Sequence, residues 1–241
     1  MSRGQPIVFT LLFFILLVVT PTSQAQADAT YTIPLLGGRW TTYTIRVRIP
    51  AEPAWAHDAV LNAMQVWNEA QDWFKETYYP QGKVYSFTES STAQVNVRWV
   101  SADHCCWAYV LVSGHRITTG VPIDLTTDLG PGHTGLLTAT ATHEFGHALG
   151  LVDLYYLVKD GEPLSHDLMW GTMYAWRPST LDLYAVHVLA EGSTPERVTL
   201  PSNIPYQEVP LSAIPEFPVS LPVLLGVVFA VSLLMLKRRL S

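Results

Sequence analysis

The stretch Thr142-His143-Glu144-Phe145-Gly146-His147-Ala148-Leu149-Gly150-Leu151-Val152-Asp153 decides how the rest of the chain is interpreted. It contains the pattern His-Glu-x-x-His, followed at intervals of three residues by Gly150 and Asp153. On a helix, residues four apart lie on one face, about 6 Å apart along the axis. The pattern therefore predicts a helix that presents both histidines together, with the glutamate beside them. We expect this helix to end at Gly150, because glycine adopts the left-handed conformation that turns a chain back.

This set of side chains is typical of a zinc site. Two imidazoles four residues apart can bind one Zn²⁺, and a third protein ligand leaves one position open for water. We therefore assign His143, His147 and Asp153 as metal ligands and Glu144 as the general base that takes a proton from the water. Two residues further along the chain are alternative third ligands: Asp160 and His166.

Both ends of the 241-residue chain have the composition of membrane-targeting segments. Residues 1–27 combine an early arginine, an apolar run and a closing Ala-Gln-Ala, which is the pattern of a secretory signal peptide. Residues 219–236 carry no charge and precede a basic tail at 237–241, which predicts a single transmembrane helix with a cytoplasmic C-terminus. An uncleaved signal anchor and a buried core helix are the respective alternatives.

The residues between these segments predict one folded domain, which we place at 28–192. Prolines recur through 193–218 and predict an extended stalk between the domain and the membrane. The net charge of −6 argues against a nucleic-acid partner. The only cysteines, Cys105 and Cys106, are adjacent, so we expect no ordinary disulfide framework and interpret them as small buried residues.

Hydrophobic periodicity predicts strands and helices around the motif. Apolar residues that alternate, or that form a short run, indicate strands at 42–49, 84–88, 93–100 and 121–125, and 107–112 is a candidate for a further strand. Apolar residues three and four apart indicate a long amphipathic helix at 53–78, an active-site helix ending at Leu149 and a last helix from Pro178 to about Ala190. Pro122 favours an edge or bulge position for the fourth strand, because proline cannot donate into a ladder.

Beyond these elements, the sequence resembles the metzincins, and among them the matrixin-like branch, over about 38–191. The family pattern is His-Glu-x-x-His-x-x-Gly-x-x-His/Asp, followed by a turn that contains methionine. Residues 143–153 match the first part, with aspartate where most members have histidine. Met169 in Ser165-His166-Asp167-Leu168-Met169-Trp170 matches the turn, with Met173 as a second candidate. The resemblance implies an α+β zincin fold: a mixed twisted β-sheet with a long N-terminal helix, an active-site helix and a C-terminal helix after the Met-turn.

The resemblance also implies a function, namely a zinc-dependent endopeptidase that hydrolyses extracellular proteins or peptides from the outer face of the cell membrane. It implies that the substrate adds to the edge strand 121–125 through main-chain hydrogen bonds. The predicted C-terminal anchor resembles those of archaeal surface proteins. The alternative is an inactive metzincin-like binding or adhesion domain with a structural zinc, for which His166 and Asp167 are candidate fourth ligands. The presence of Glu144 favours the enzyme.

Overall fold

The computed structural model describes residues 31–154, 158–159, 162–163, 167–170 and 176–210, which form a mixed α+β fold. Three helices lie in this part of the chain: α1 (Ala54–Tyr78), α2 (Thr134–Ala148) and α3 (Thr180–Ala190). Its strands are β1 (Thr32–Pro34), β2 (Thr44–Arg48), β3 (Ser86–Glu89), β4 (Val95–Val100), β5 (Trp107–Ala108), β6 (Val112–Ser113), β7 (Arg116–Ile117), β8 (Val121–Thr126), β9 (Val158–Lys159), β10 (Glu162–Pro163) and β11 (Arg197–Thr199).

The main sheet is a twisted sheet of five strands in the order β3-β2-β4-β8-β5. All neighbours are parallel except β5, which runs antiparallel to β8. In β2 the alternating side chains of Ile45 and Val47 enter the core while their neighbours are exposed, as the period of two requires. The predicted strands at 42–49, 84–88, 93–100 and 121–125 correspond to β2, β3, β4 and β8, and the predicted mixed sheet with three helices is confirmed.

The prediction that 121–125 is an edge strand is wrong. β8 pairs with β4 on one side and with β5 on the other, so β5 lies at the edge. Tyr109 N donates to Pro122 O at 3.0 Å, which directs the carbonyl of the proline toward β5. The missing N–H of Pro122 therefore costs little stability, because Pro122 lies at the end of the short ladder between β5 and β8. β5 lies within 107–112, which the sequence offers as a candidate strand but not as the edge of the sheet.

The helix α1 holds the active-site helix α2 in place. Its buried face recurs at three and four residues, as predicted: Val60, Ala63, Met64, Trp67, Ala70 and Phe74. Trp67 Nε1 donates to Thr142 O at 2.7 Å, one residue before the first histidine of the motif. Gly146 permits the close approach, because a Cβ there would clash with Met169 Sδ and lie 3.3 Å from the Trp67 ring.

Residues 193–210 pack on the domain, whereas the sequence predicts a stalk that begins at 193. β11 pairs with β1 in antiparallel register, with Val198 opposite Ile33. Leu200, Ile204 and Val209 are buried. The prolines here form turns instead of a rod: Ile204 N, for example, donates to Pro201 O at 2.9 Å. The apolar residues follow neither a strand nor a helix period, so the sequence pattern did not reveal their burial.

The remaining predicted segments lie outside the described residues and stay predictions. These are the signal peptide at 1–27, the rest of the stalk at 211–218, the transmembrane helix at 219–236 and the tail at 237–241. Among the residues that the structure describes, no helix is both long and apolar enough to cross a membrane.

Candidate metal centre

The end of α2 brings the motif together in space. The helix ends at Ala148, and Leu151 N donates back to Gly146 O at 3.1 Å. Gly150 has a φ of 104°, a conformation that side chains other than glycine rarely adopt, and this confirms the predicted helix stop. The chain then reverses, which carries Asp153 back toward the last two turns of α2.

Three potential ligand atoms converge at this point. Asp153 Oδ1 lies 3.0 Å from His143 Nε2 and 3.3 Å from His147 Nε2. One ligand atom from each of His143, Glu144 and His147 also lies within 4.8 Å of the others. The structure therefore groups the four residues that the sequence singles out, on a site that is buried or half-buried.

Backbone carbonyls orient both imidazole rings. His143 Nδ1 donates to Leu168 O at 2.7 Å, and His147 Nδ1 donates to Leu151 O at 3.0 Å. Because a carbonyl only accepts, each Nδ1 carries a proton, and a neutral ring then has its lone pair on Nε2, on the side of the cluster. Such bonds are the usual support of histidine ligands. Sequence patterns do not reveal them, because any residue supplies a carbonyl.

The electrostatics of the site favour a positive charge beside Asp153. Burial by itself raises the pKa of this carboxyl, but its close contacts with Nε2 of His143 and Nε2 of His147 outweigh burial and hold the pKa well below its usual range. Burial likewise lowers the pKa of His147, but the hydrogen bond to Asp153 and the charge of Glu144 raise it above its usual value. The carboxylate of Asp153 thus lies where positive charge stabilises it, which is the environment that a metal cation would supply.

Glu144 has a different environment from Asp153. Burial raises the pKa of Glu144, while the charges of His143 and His147 and a backbone hydrogen bond from Ala108 oppose the rise. Its Oε2 is buried and has no hydrogen-bond partner within the described part of the chain. A buried carboxylate oxygen without a partner is costly, so this atom is available for a bound molecule.

The donor set fits a metal ion. Imidazole nitrogens and carboxylate oxygens are ligands of divalent transition metals, and both rings have their other nitrogen satisfied. Glu144, whose Oε2 has no partner in the part of the chain that the structure describes, lies in the same group of side chains. The group is thus compatible with a metal, and its donors alone do not specify zinc.

The turn that carries Met169 lies under the site. Met169 is fully buried, and its sulfur lies against Gly146. Leu154 N donates to Met169 O at 2.7 Å, which ties the residue after Asp153 to the turn. Met173 and the alternative ligands His166 and Asp160 lie outside the described residues.

A buried polar cluster supports this turn, and sequence reasoning missed it. Asp167 Oδ1 accepts from Met169 N at 3.0 Å, and Asp167 Oδ2 accepts from Ser179 Oγ at 2.8 Å and from Tyr206 OH at 3.1 Å. Ser179 also forms a capping box with Asp182 at the start of α3. Asp167, considered as a fourth ligand, is thus engaged elsewhere. The Ser-x-x-Asp pattern at 179–182 is the signal that could have located the cluster.

The two cysteines lie directly before β5. Cys105 and Cys106 form a disulfide with each other at half-buried positions, so their interpretation as small buried residues is wrong. Cys106 has a φ of 73°, and its N–H donates to Asp124 O at 2.7 Å. The pair therefore leads the chain into the edge strand, whose Ala108 reaches Glu144.

Comparisons with known proteins add little. No protein-family model matches the chain, and no curated protein matches it. The solved structure described as "Structure of myroilysin", a metalloprotease, is 19% identical, with a TM-score of 0.31, over 51% of this chain and 54% of that chain. "GM1 bound form of the ECX AB5 holotoxin" is 14% identical, with a TM-score of 0.37, over 68% of this chain and 89% of that chain. The aligned part is only about half of the myroilysin chain, and similarities this low carry no argument for function.

Proposed function

We propose that the protein is a zinc-dependent endopeptidase of the metzincin type, which hydrolyses peptide bonds in proteins or peptides. One observation supports this most: the Nε2 atoms of His143 and His147 face Asp153 Oδ1, and the same cluster holds Glu144 Oε2, which has no hydrogen-bond partner among the described residues. A structural zinc usually takes four protein ligands. Three convergent donors beside a carboxylate that is not a ligand suit a hydrolytic site better.

Each residue has a distinct role in this proposal. His143, His147 and Asp153 hold the zinc, and Met169 forms the floor of the site. When bound, Zn²⁺ polarises a peptide carbonyl and acidifies a water molecule. Glu144 takes the proton of the attacking water and delivers it to the departing amine.

The proposal extends to the location of the protein. A cleaved signal peptide at 1–27 and one transmembrane helix at 219–236 would leave the domain on the outer face of the cell membrane. Its substrates would then be extracellular proteins or peptides.

The test measures zinc content and the cleavage of an unfolded protein by the full chain, with and without a chelator. We expect Glu144→Gln to keep its zinc and to lose cleavage by about 10²- to 10⁴-fold. Glu76→Gln, an exposed glutamate on α1, is the matched control and should cleave like the wild type.

Three outcomes would contradict the proposal in different ways. A wild-type protein that contains no zinc would contradict the metal site on which the proposal rests. Equal cleavage by Glu144→Gln and the wild type would show that another group is the base. A zinc-containing wild type that cleaves no unfolded protein would favour the inactive binding domain.

A further inference from the structure

The edge of the main sheet exposes a row of large apolar side chains. Trp107 is 58% exposed, Tyr109 51% and Leu111 70%. They alternate with Ala108 and Val110, which pack against the core. We refer to Trp107, Tyr109 and Leu111 as the edge ridge. Contiguous exposed apolar surface of this kind marks interaction sites more often than single exposed residues do.

The edge ridge borders the candidate catalytic group. Cys106 N donates to Asp124 O and Tyr109 N donates to Pro122 O, so these two residues face β8. Ala108, between them, directs its backbone toward Glu144 instead. The order of the described strands ends at β5. The free side of β5 therefore begins beside Glu144, and a chain that pairs with it is placed at the candidate site.

Charge does not dominate this surface. Trp107 lies opposite Asp124 in the strand register, and directly opposed residues point to the same face of a sheet. The carboxylate of Asp124 is paired in bidentate fashion with Arg98, at 2.6 Å and 2.7 Å. This ion pair neutralises the charge that lies opposite Trp107, so that recognition at this end of the ridge depends on apolar contact.

We propose that the edge ridge selects extended polypeptide segments with apolar or aromatic residues at every second position. The segment adds as a strand to the free side of β5, and its apolar residues lie on the ridge face beside Trp107, Tyr109 and Leu111. The inference rests on the proposed function, because continuity with Glu144 identifies the occupant as the chain to be cleaved. Each cross-strand apolar pair is expected to change affinity by about 1.4- to 5-fold.

Binding to full-length Glu144→Gln protein, loaded with zinc, tests the pattern without cleavage. Two fluorescent ten-residue peptides of identical composition serve as probes. In one, Phe and Val alternate with Ser and Thr; in the other, the same apolar residues occur in adjacent pairs, so that each face of a strand carries half of them. We expect the alternating peptide to bind at least about 5-fold more tightly in fluorescence anisotropy.

Variants locate the preference on the ridge. Trp107→Thr and Leu111→Thr, each added to Glu144→Gln, should reduce the preference to about two-fold or less. Tyr43→Thr is the matched control, because Tyr43 is 46% exposed and packs on Tyr85, away from β5. It should leave the preference unchanged. Zinc content and the midpoint of thermal unfolding show that each variant is folded.

The outcomes separate this inference from the proposed function. Equal affinity for the two peptides, or a preference that survives both ridge substitutions, overturns the inference. Self-association or vesicle binding that Trp107→Thr abolishes, without any peptide preference, also overturns it and assigns the ridge to a second copy or a lipid surface. The proposed function is judged on the wild type: loss of cleavage with chelator supports it even where the ridge shows no preference.

Discussion

At the scale of single residues, Asp153 is the proposed ligand with the least support from its position in the motif alone. Its Oδ1 lies 3.0 Å and 3.3 Å from the two histidine nitrogens, so Asp153→Asn should weaken zinc binding at least about 100-fold. The reason is that an amide is a weaker, uncharged donor. Competition with a chromophoric chelator measures the affinity. His166→Gln is the comparison, and a larger loss there than at Asp153 would identify the histidine as the third ligand.

A second residue, Asp182, carries a pH dependence. Burial and the charge of the neighbouring Asp167 raise the pKa of Asp182 well above its usual range. Asp182 Oδ2 accepts from Ser179 N at 2.8 Å, whereas Asp182 Oδ1 accepts no hydrogen bond from the described residues. We therefore place the proton of the Asp167–Asp182 pair on Asp182 Oδ1. Because this pKa is higher in the folded than in the unfolded state, the stabilisation is complete below pH 3.8 and is lost as the pH rises through the folded-state pKa.

Asp182→Asn should remove this pH dependence. The amide oxygen can still accept from Ser179 N, and its N–H₂ can donate to Asp167 without titrating. We expect the variant to gain stability relative to the wild type as the pH rises from 4, by about 1.4 kcal/mol for each unit up to the folded-state pKa. Urea denaturation between pH 4 and 8 measures the difference. Asp72→Asn, on the exposed side of α1, should show no such trend.

At the scale of elements, Gly146 sets how closely α2 approaches the turn at Met169. A methyl group at Gly146 would clash with the Met169 sulfur, in a core that is already packed. We expect Gly146→Ala to destabilise the protein by about 1–3 kcal/mol, in spite of the better helix propensity of alanine. The free energy of unfolding measures the effect. Gly132→Ala is the control, because nothing lies within 4 Å of the added carbon, and a similar loss there would argue against a packing cause.

Some helices and strands could be predicted from the sequence, and others could not. Long periodic segments, such as α1 and the alternating β2, were predicted near their observed positions because one face of each is buried over many residues. The sequence also offers 107–112 as a candidate strand, which contains β5, but it did not identify this strand as the edge, because Pro122 indicated β8 instead. The His143–Asp153 cluster was foreseeable from helix spacing and a glycine stop. Its supports were not, since Leu168 and Leu151 contribute only carbonyl groups.

At the scale of the whole molecule, the two ends of the described chain meet behind the candidate site. β1 pairs with β11, and the ring of Tyr31 stacks on that of Tyr206 at 4.4 Å. Tyr206 OH in turn donates to Asp167, which holds the turn under the histidines. Arg177 binds the C-terminal segment that contains Tyr206, donating to Val209 O at 2.7 Å and to Glu208 Oε2 at 2.9 Å. Residues 193–210 are therefore a brace of the site.

This brace sets where the chain can be cut without unfolding. A fragment of residues 28–192 lacks four buried side chains of the C-terminal segment: Val198, Leu200, Ile204 and Val209. At about 1.5 kcal/mol or more for each, their loss removes roughly 6 kcal/mol, which is comparable to the whole stability of many domains. We expect 28–210 to unfold cooperatively on heating and 28–192 to show no cooperative transition in circular dichroism. Equal midpoints for the two fragments would mean that the segment only rests on the domain, and would restore the stalk predicted from 193.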